Sequence, residues 1–278
     1  MKESFAIMSR RGRWRAAGAM AFILSILLLG FLGSIAFAQG GGIADHVVIS
    51  EVQVADEEFI ELYNPTNEDI DMTGWHCCYF PSAREWNDPW RDKTFPEGAT
   101  IQAHGFYLIA TTSGGFPGAD WNFGSATRFL DNFAGSIGVF PWDPNEKAAE
   151  EAKNGRIDAV GYGSVDHVKE DFGADVPPEG KSIERKARSS STAASMGPAG
   201  EDEHRGNGYD SDDNSQDFVL RAVSERQNSS SLAEYPWRIY LPLVIRSTVG
   251  SSCRVRSEGL SSVWGEARFR CYPVPHAW

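Results

Sequence analysis

Glu51 and Glu61 are the first residues whose types and spacing point to chemistry. They fall in two alternating segments, 48–54 and 60–62, joined by the turn Ala55-Asp56-Glu57. Val48, Val52 and Val54 share one parity, and Ile60 and Leu62 share one parity on the next run, as expected for a half-buried β-hairpin. If the turn sets the register, Val52 opposes Ile60 on the core face and Glu51 opposes Glu61 on the other. Like charges directly opposite are unfavourable in a sheet, so a cation, a raised pKa or a basic neighbour must relieve them. Facing carboxylates are the equipment of an acid/base pair or of a hard-cation site. No His, Ser or further carboxylate is tied to this pair by spacing, so the expectation is two solvated side chains, or a bulge that sets them apart.

A second acidic group is Asp210, Asp212, Asp213, Asn214 and Asp217. Asp210-x-Asp212-x-Asn214 has the first three ligand positions of a Ca²⁺ loop. However, Ser215 stands where the turn glycine belongs and Arg221 where the bidentate Glu belongs, so it is not an EF-hand. The group is a candidate Ca²⁺ site, and its plain alternative is an Asx-turn cluster. Aromatic residues offer a different chemistry. Trp86, Trp90, Trp121 and Trp142 fall in predicted loops beside Asn, Asp, Arg or Pro. Exposed, they would stack on sugar rings or anchor a protein interface, and a sugar site predicts a coplanar exposed pair; packed back, they would pin their own loops. The six histidines show no HExxH or paired spacing and read as surface or core residues. No G-x-S-x-G, P-loop or G-x-G-x-x-G opening a helix is present, so the expectation is a protein that is not an enzyme.

The elements that would position these residues begin after an N-terminal segment of a different kind. Residues 1–38 combine a basic stretch to Arg15, an apolar run to Ile35 and Ala36-Phe37-Ala38 before Gln39, which is the pattern of a signal peptide cleaved after Ala38. Uncleaved, the apolar run would be the chain's membrane anchor. The expected destination is secretion or the cell surface. The whole chain has a net charge of -12 although its first 38 residues are basic, so the body is strongly acidic, which argues against binding a phosphate backbone. The basic cluster Arg185-Lys186-Ala187-Arg188 reads as a solvated strand end. In an oxidising compartment the four cysteines allow three pairings, but Cys77 and Cys78 are strand neighbours that point to opposite faces. Cys253 with Cys271 is not fixed by spacing, and the lack of a CxxC pair argues against a zinc site.

Further strands are expected at 74–80, 106–110, 135–140, 156–162, 181–186 and 217–220, with an edge strand at 95–101 around Pro96. About eight short strands separated by turn signals make an all-β, immunoglobulin-like two-sheet β-sandwich over 47–236, after a flexible lead-in at 39–46. The Ser-, Ala- and Gly-rich stretch 189–208 reads as a mobile arm.

Several of these segments form one ordered series. They are Ile49-Ser50-Glu51-Val52, Glu58-Phe59-Ile60-Glu61-Leu62-Tyr63-Asn64-Pro65-Thr66 and Ile70-Asp71-Met72-Thr73-Gly74-Trp75. Phe95-Pro96-Glu97-Gly98-Ala99-Thr100-Ile101, Gly105-Phe106-Tyr107-Leu108-Ile109-Ala110, Ile157-Asp158-Ala159-Val160-Gly161-Tyr162-Gly163 and Lys181-Ser182-Ile183-Glu184-Arg185 continue the series, and Asp210–Asn214 with Asp217-Phe218 ends it. Together they resemble the lamin-tail domain family, the last element being similar to one of its bacterial members. The resemblance spans roughly 47–221, with 81–93, 111–132 and 141–155 as insertions. It implies an immunoglobulin-like sandwich that works as a structural, tethering or binding module, with a cell-surface protein or a polysaccharide as partner. A carbohydrate-binding module using the loop tryptophans is the alternative, and a metal-dependent hydrolase built on the acidic loops is a third. Beyond the domain, Tyr240-Leu241-Pro242-Leu243-Val244 resembles a C-terminal run of some secreted bacterial proteins, and the Ser/Arg-rich 247–278 reads as a disordered tail.

Overall fold

In the computed structural model the described residues are 42–110, 116, 118–122 and 129–236, together with the backbone of two short strands near the C-terminus. The signal segment, the 240–246 motif and Cys271 lie outside them. Two compact units are present, 1–237 and 238–278. In the second, Cys253–Arg254 pairs antiparallel with Tyr272–Pro273, so the segment read as a disordered tail holds one short ladder.

The first unit is a sandwich. Its larger sheet has six strands: β2 (Val48–Gln53), β3 (Phe59–Tyr63), β8 (Phe106–Ala110), β9 (Trp121–Asn122), β12 (Ser182–Arg185) and β14 (Phe218–Arg221), in the order β14-β12-β2-β3-β8-β9. The smaller has four: β5 (His76–Pro81), β6 (Arg91–Thr94), β10 (Gly135–Phe140) and β11 (Asp158–Tyr162), in the order β11-β10-β5-β6. Two-residue ladders complete the fold. The expected edge strand at 95–101 reduces to β7 (Thr100–Ile101) on β4 (Ile70–Asp71). The lead-in is not loose throughout, because β1 (Gly42–Ile43) pairs with β13 (Tyr209–Asp210).

The core lies between the two sheets. Ile49, Val52, Ile60, Leu62, Ile109 and Ile183 from the larger sheet meet Cys77, Tyr79, Ile137, Val139, Val160 and Tyr162 from the smaller. Alternation in each strand explains this face, with one exception in β2. The pairing shifts by one residue between Ile49 and Glu51, so Ser50 is a bulge. A one-residue bulge inverts every side chain beyond it. Val47 and Ile49 therefore face the core with Val52 and Val54, whereas Val48 packs with Tyr63 and Phe106 on the opposite face. The shared parity expected for Val48, Val52 and Val54 fails for this reason.

Both outer faces are covered as well. Cys78, Phe80, Phe140 and Ala159 on the outer side of the smaller sheet pack under Trp86 and under Ala152 of helix α1 (Ala149–Gly155). Cys77 and Cys78 thus point to opposite faces, and both are free thiols. The larger sheet is covered by residues 222–236, which cross it as a strap. Tyr63 donates its hydroxyl hydrogen bond to the Glu234 carbonyl, the Arg226 guanidinium lies 5.4 Å from the Phe59 ring, and Asn228 Nδ2 donates to Gly118 O at 2.7 Å. Of the insertions expected as long loops, 81–93 and 141–155 supply this outer cover, through Trp86 and Ala152, whereas much of 111–132 lies outside the described residues. The arm at 189–208 is likewise folded: helix α2 (Ala193–Met196) starts in a capping box at Thr192, and buried Asp202 accepts from Ser191 and Ser195 and pairs with Arg188.

Candidate functional site

The facing glutamates form as the hairpin register requires: Glu51 opposes Glu61, and the bulge lies just before the pair without separating them. They are not solvated. Each is 1% exposed, and Glu184 of β12 stands opposite Glu51 on its other side, giving three carboxyl groups across three adjacent strands. The strap seals them in. Gln227 N donates to Glu61 Oε2 at 2.5 Å and Glu225 N to Glu51 Oε1 at 3.4 Å. Ser50 donates to Glu61 at 2.7 Å, Ser182 donates to Glu51, and Asn207 and Arg221 engage Glu184 at 2.7 and 2.5 Å. Burial pushes the Glu51 carboxyl up to about 7, against the pull of Ser182 and Arg221. Burial first, and then the charge of Glu51, raises both Glu61 and Glu184 well above the ordinary carboxylate range. This cluster has the raised pKa of catalytic carboxyls, but its glutamates are buried away from any substrate.

The acidic loop is organised around a residue that sequence reasoning placed in solvent. Arg185 is completely buried, on the core face of β12. Its Nη2 contacts both oxygens of Asp158, at 3.1 and 2.9 Å, so the pair bridges the two sheets. Its Nε donates to Ile49 O at 3.0 Å, while Ile49 N donates to Asp158 Oδ2 at 2.6 Å. The bulge at Ser50 therefore places the Ile49 peptide groups on the ion pair that needs them. Asp210 and Asp217 complete the surround at 3.2 and 3.5 Å, and Phe218 stacks on the guanidinium at 4.8 Å. Burial would lower the Arg185 pKa, but Asp158, Asp210, Glu170 and Asp217 together hold it above its ordinary value.

The five residues proposed for Ca²⁺ do not converge on one point. Asp213 caps helix α3 (Asn214–Asp217) through Ser215 N at 3.0 Å, and Asp212 is exposed, 3.6 Å from Arg156. Asn214 is fully buried and ties Gly161 N, Glu170 N and Ala159 O together. Asp210 and Asp217 approach Glu170, and the ligand atoms of these three lie within 4.8 Å of one another, but Arg185 already supplies a cation there. One guanidinium does not compensate every carboxyl around it. Burial leaves Asp217 near pKa 6 and Glu170 well above the ordinary range, while for Asp210 burial is outweighed by Arg185 together with the Asp212 N–H, His46 and Asp217, and the pKa falls.

The tryptophans divide. Trp86 is buried, with Arg156 over its ring at 5.2 Å. Trp121 packs on Phe95 at 4.7 Å, and Trp142 on Phe140 at 5.9 Å, so both pin loops. Trp90 alone of the four is open, at 57% exposure, which removes the coplanar pair expected of a tryptophan sugar site. Its companion is one that sequence reasoning missed. Phe133 is 78% exposed and, with Trp90, Tyr79, Arg84 and Asp131, lines an open groove of about 480 Å³. The loop presenting it is fixed from below: Phe133 N donates to Asp131 Oδ1 at 2.8 Å, Asp131 N to Tyr79 OH at 3.2 Å, and Tyr162 OH to Asp131 O at 2.7 Å. Gly163, at φ +68°, permits the close approach, because a Cβ there would run into the Phe133 carbonyl.

With this geometry in place, the comparison with known families is decisive for the fold. Residues 44–164 match the model of the Lamin Tail Domain. This segment belongs to the lamin tail domain family. The lamin tail domain match covers the whole smaller sheet and the first four strands of the larger, and the sandwich is completed by β12, β14 and the strap. A DUF4876 family protein from Bacteroides thetaiotaomicron VPI-5482 is similar at 16% identity and a TM-score of 0.43, over 69% of this chain and 74% of that one, a likeness too slight to carry an argument. No curated protein matches the chain.

Proposed function

We propose that this lamin tail domain protein is a non-catalytic binding module of the exported cell envelope, which tethers to a surface polysaccharide through the Trp90–Phe133 groove. The reading is carried by one observation: the open groove is aromatic and pre-formed, whereas the clustered carboxyls with raised pKa are sealed beneath the strap or paired with Arg185 and Arg156. An enzyme needs its perturbed groups where substrate can reach them, and a binding face needs exposed apolar area beside polar groups. Trp90 and Phe133 supply the apolar faces, and Arg84 and Asp131 the polar partners for hydroxyls. Because the Phe133 loop is already held by Tyr79 and Tyr162, little ordering is required on binding. Export is supported by the n-region, apolar run and Ala36-Phe37-Ala38 pattern of the N-terminus.

The test is a pull-down on isolated cell walls and insoluble polysaccharides, comparing the wild-type chain with Trp90→Ala, Phe133→Ala and a control, Phe172→Ala, at another exposed aromatic. Retention by the wild type and by Phe172→Ala, with at least about a tenfold loss in Trp90→Ala, is the expected result. Equal retention of all four proteins would sink the groove as the binding face.

A further inference from the structure

His76, Asp92 and Asp143 come together on the outer side of the smaller sheet, and neither the groove nor the buried carboxyls use them. His76 lies on β5 and Asp92 on β6, where Asp92 stands directly opposite Cys78, two residues on from His76 on the same face. Asp143 precedes the short 3₁₀ turn Pro144–Glu146 and caps it, its Oδ1 accepting from Asn145 N at 2.8 Å. Three separated segments thus deliver one imidazole and two carboxylates, with ligand atoms within 4.8 Å of one another.

We propose that His76, Asp92 and Asp143 form a binding site for a borderline divalent cation of the Zn²⁺ class, clamping the 141–155 cover onto the sheet. Charge is the first argument. Glu170, Asp210 and Asp217 converge equally closely, but Arg185 lies among them. Among the described residues, Asp92 has an ion pair with His76 only, and Asp143 has none with Lys or Arg. The near-by Lys147 is committed to Glu151 at 2.8 Å and to the Trp142 ring at 5.2 Å. Two carboxylates facing a single imidazole leave negative charge that a divalent ion would balance.

Orientation is the second argument. Asn145 Nδ2 donates to Asp143 Oδ1 at 2.8 Å and to Asp92 Oδ2 at 3.2 Å, holding both carboxylates from behind. That leaves Asp92 Oδ1 against His76 Nδ1 at 2.7 Å. Such an outer partner is what fixes ligands around a metal. A tetrahedral ion with bonds of about 2.0–2.1 Å sets its ligand atoms about 3.3 Å apart, so side-chain rotations of about 1 Å would close the site. The imidazole, with the Cys78 thiol 3.4 Å from Asp92 Oδ1, selects Zn²⁺ or Co²⁺ over the oxygen-seeking Mg²⁺. The His76 and Asp92 side chains are 12% and 23% exposed, which leaves a path for the ion.

The experiment is calorimetric titration of the full chain, freed of metal with a chelator, using Zn²⁺, Co²⁺ and Mg²⁺ in turn, on wild type, His76→Ala, Asp143→Asn and the exposed-acid control Asp88→Asn. One equivalent of Zn²⁺ should bind wild type and Asp88→Asn, with at least about a tenfold weaker affinity in the other two, and with no matching affinity for Mg²⁺. Co²⁺ should give the visible bands of a tetrahedral site in wild type that vanish in Asp143→Asn. Should His76→Ala fail to fold, Asp143→Asn, altered in a part-exposed turn, still decides the matter. Absence of Zn²⁺ binding by wild type, or equal affinity in wild type and Asp143→Asn, would overturn the site, the second outcome marking an adventitious ion only.

Discussion

Glu51 holds its proton near pH 7 because it is buried between Glu61 and Glu184, and this reverses the usual dependence of stability on pH. An ordinary carboxyl titrates at 4.5, so between 4.5 and about 7 the unfolded chain releases a proton at this position that the folded chain keeps. Over that window the unfolded state binds fewer protons, and stability falls as pH rises. The interval sets an upper bound of about 3 kcal/mol for this group. Glu61 and Glu184, raised by the same burial, act in the same direction. The melting temperature should therefore climb as pH falls from 8 to 5. In Glu51→Gln, whose amide can donate to Glu61 at any pH, the climb should be shallower and the value at pH 8 higher than wild type. A wild-type melting temperature that is flat from pH 5 to 8 would count against the buried trio. Arg185 calls for the opposite treatment. Replacing it with Met leaves Asp158 and Asp217 buried without their cation, a loss of about 3–5 kcal/mol measurable in a urea melt.

The strap 222–236 is the element that turns a two-layer sandwich into a protein whose larger sheet is buried on both faces. Its anchors are specific and include Tyr63 to the Glu234 carbonyl, Gln227 to Glu61, and Ser229 to Asp120. Tyr63→Phe removes one of them and should cost about 1 kcal/mol. It should also speed hydrogen exchange at the Glu225 and Gln227 amides, while leaving the amides of β10 protected. Exchange that rises equally in both places would mean that the strap has no separate opening. This layer was invisible in the sequence, because residues 222–236 have no alternation and read as the end of a domain. The hairpin and the Glu51–Glu61 register were legible from a local period of two, and the strand at 106–110 from its continuous apolar run. The bulge at Ser50 was not, and with it went the parity of Val48. Nor was Arg185, whose partners Asp158 and Asp217 lie 27 and 32 residues away, so that a residue type usually solvated was assigned to solvent. Of the groove, Trp90 could be named from its loop. Phe133 could not, because an exposed phenylalanine carries no mark that separates it from a core one.

At the scale of the molecule, the two sheets are joined by more than their shared core. Arg185 on the larger sheet grips Asp158 on the smaller, and Asn214, close in sequence to β14, binds the backbone of β11 at Gly161 and Ala159. The family match ends at 164, yet the residues that supply these grips, Arg185, Asn214 and Asp217, all lie beyond it. Residues 42–164 alone would keep Asp158 and the Ile49 peptide without Arg185, and would expose Phe59, Tyr63 and Phe106 on the uncovered sheet face. A buried carboxylate stripped of its partner and an apolar face open to water both oppose folding. The fragment 42–164 should therefore be insoluble or bind a hydrophobic dye strongly. The fragment 42–236 should unfold in one transition, with circular dichroism and tryptophan fluorescence superimposing. Trp86 and Trp142 report on the smaller sheet and Trp121 on the larger, so the fluorescence signal samples both. A soluble, cooperatively melting 42–164 would show that the later strands merely decorate a finished domain. Two separated transitions in 42–236 would show that the Arg185–Asp158 bridge does not couple the sheets.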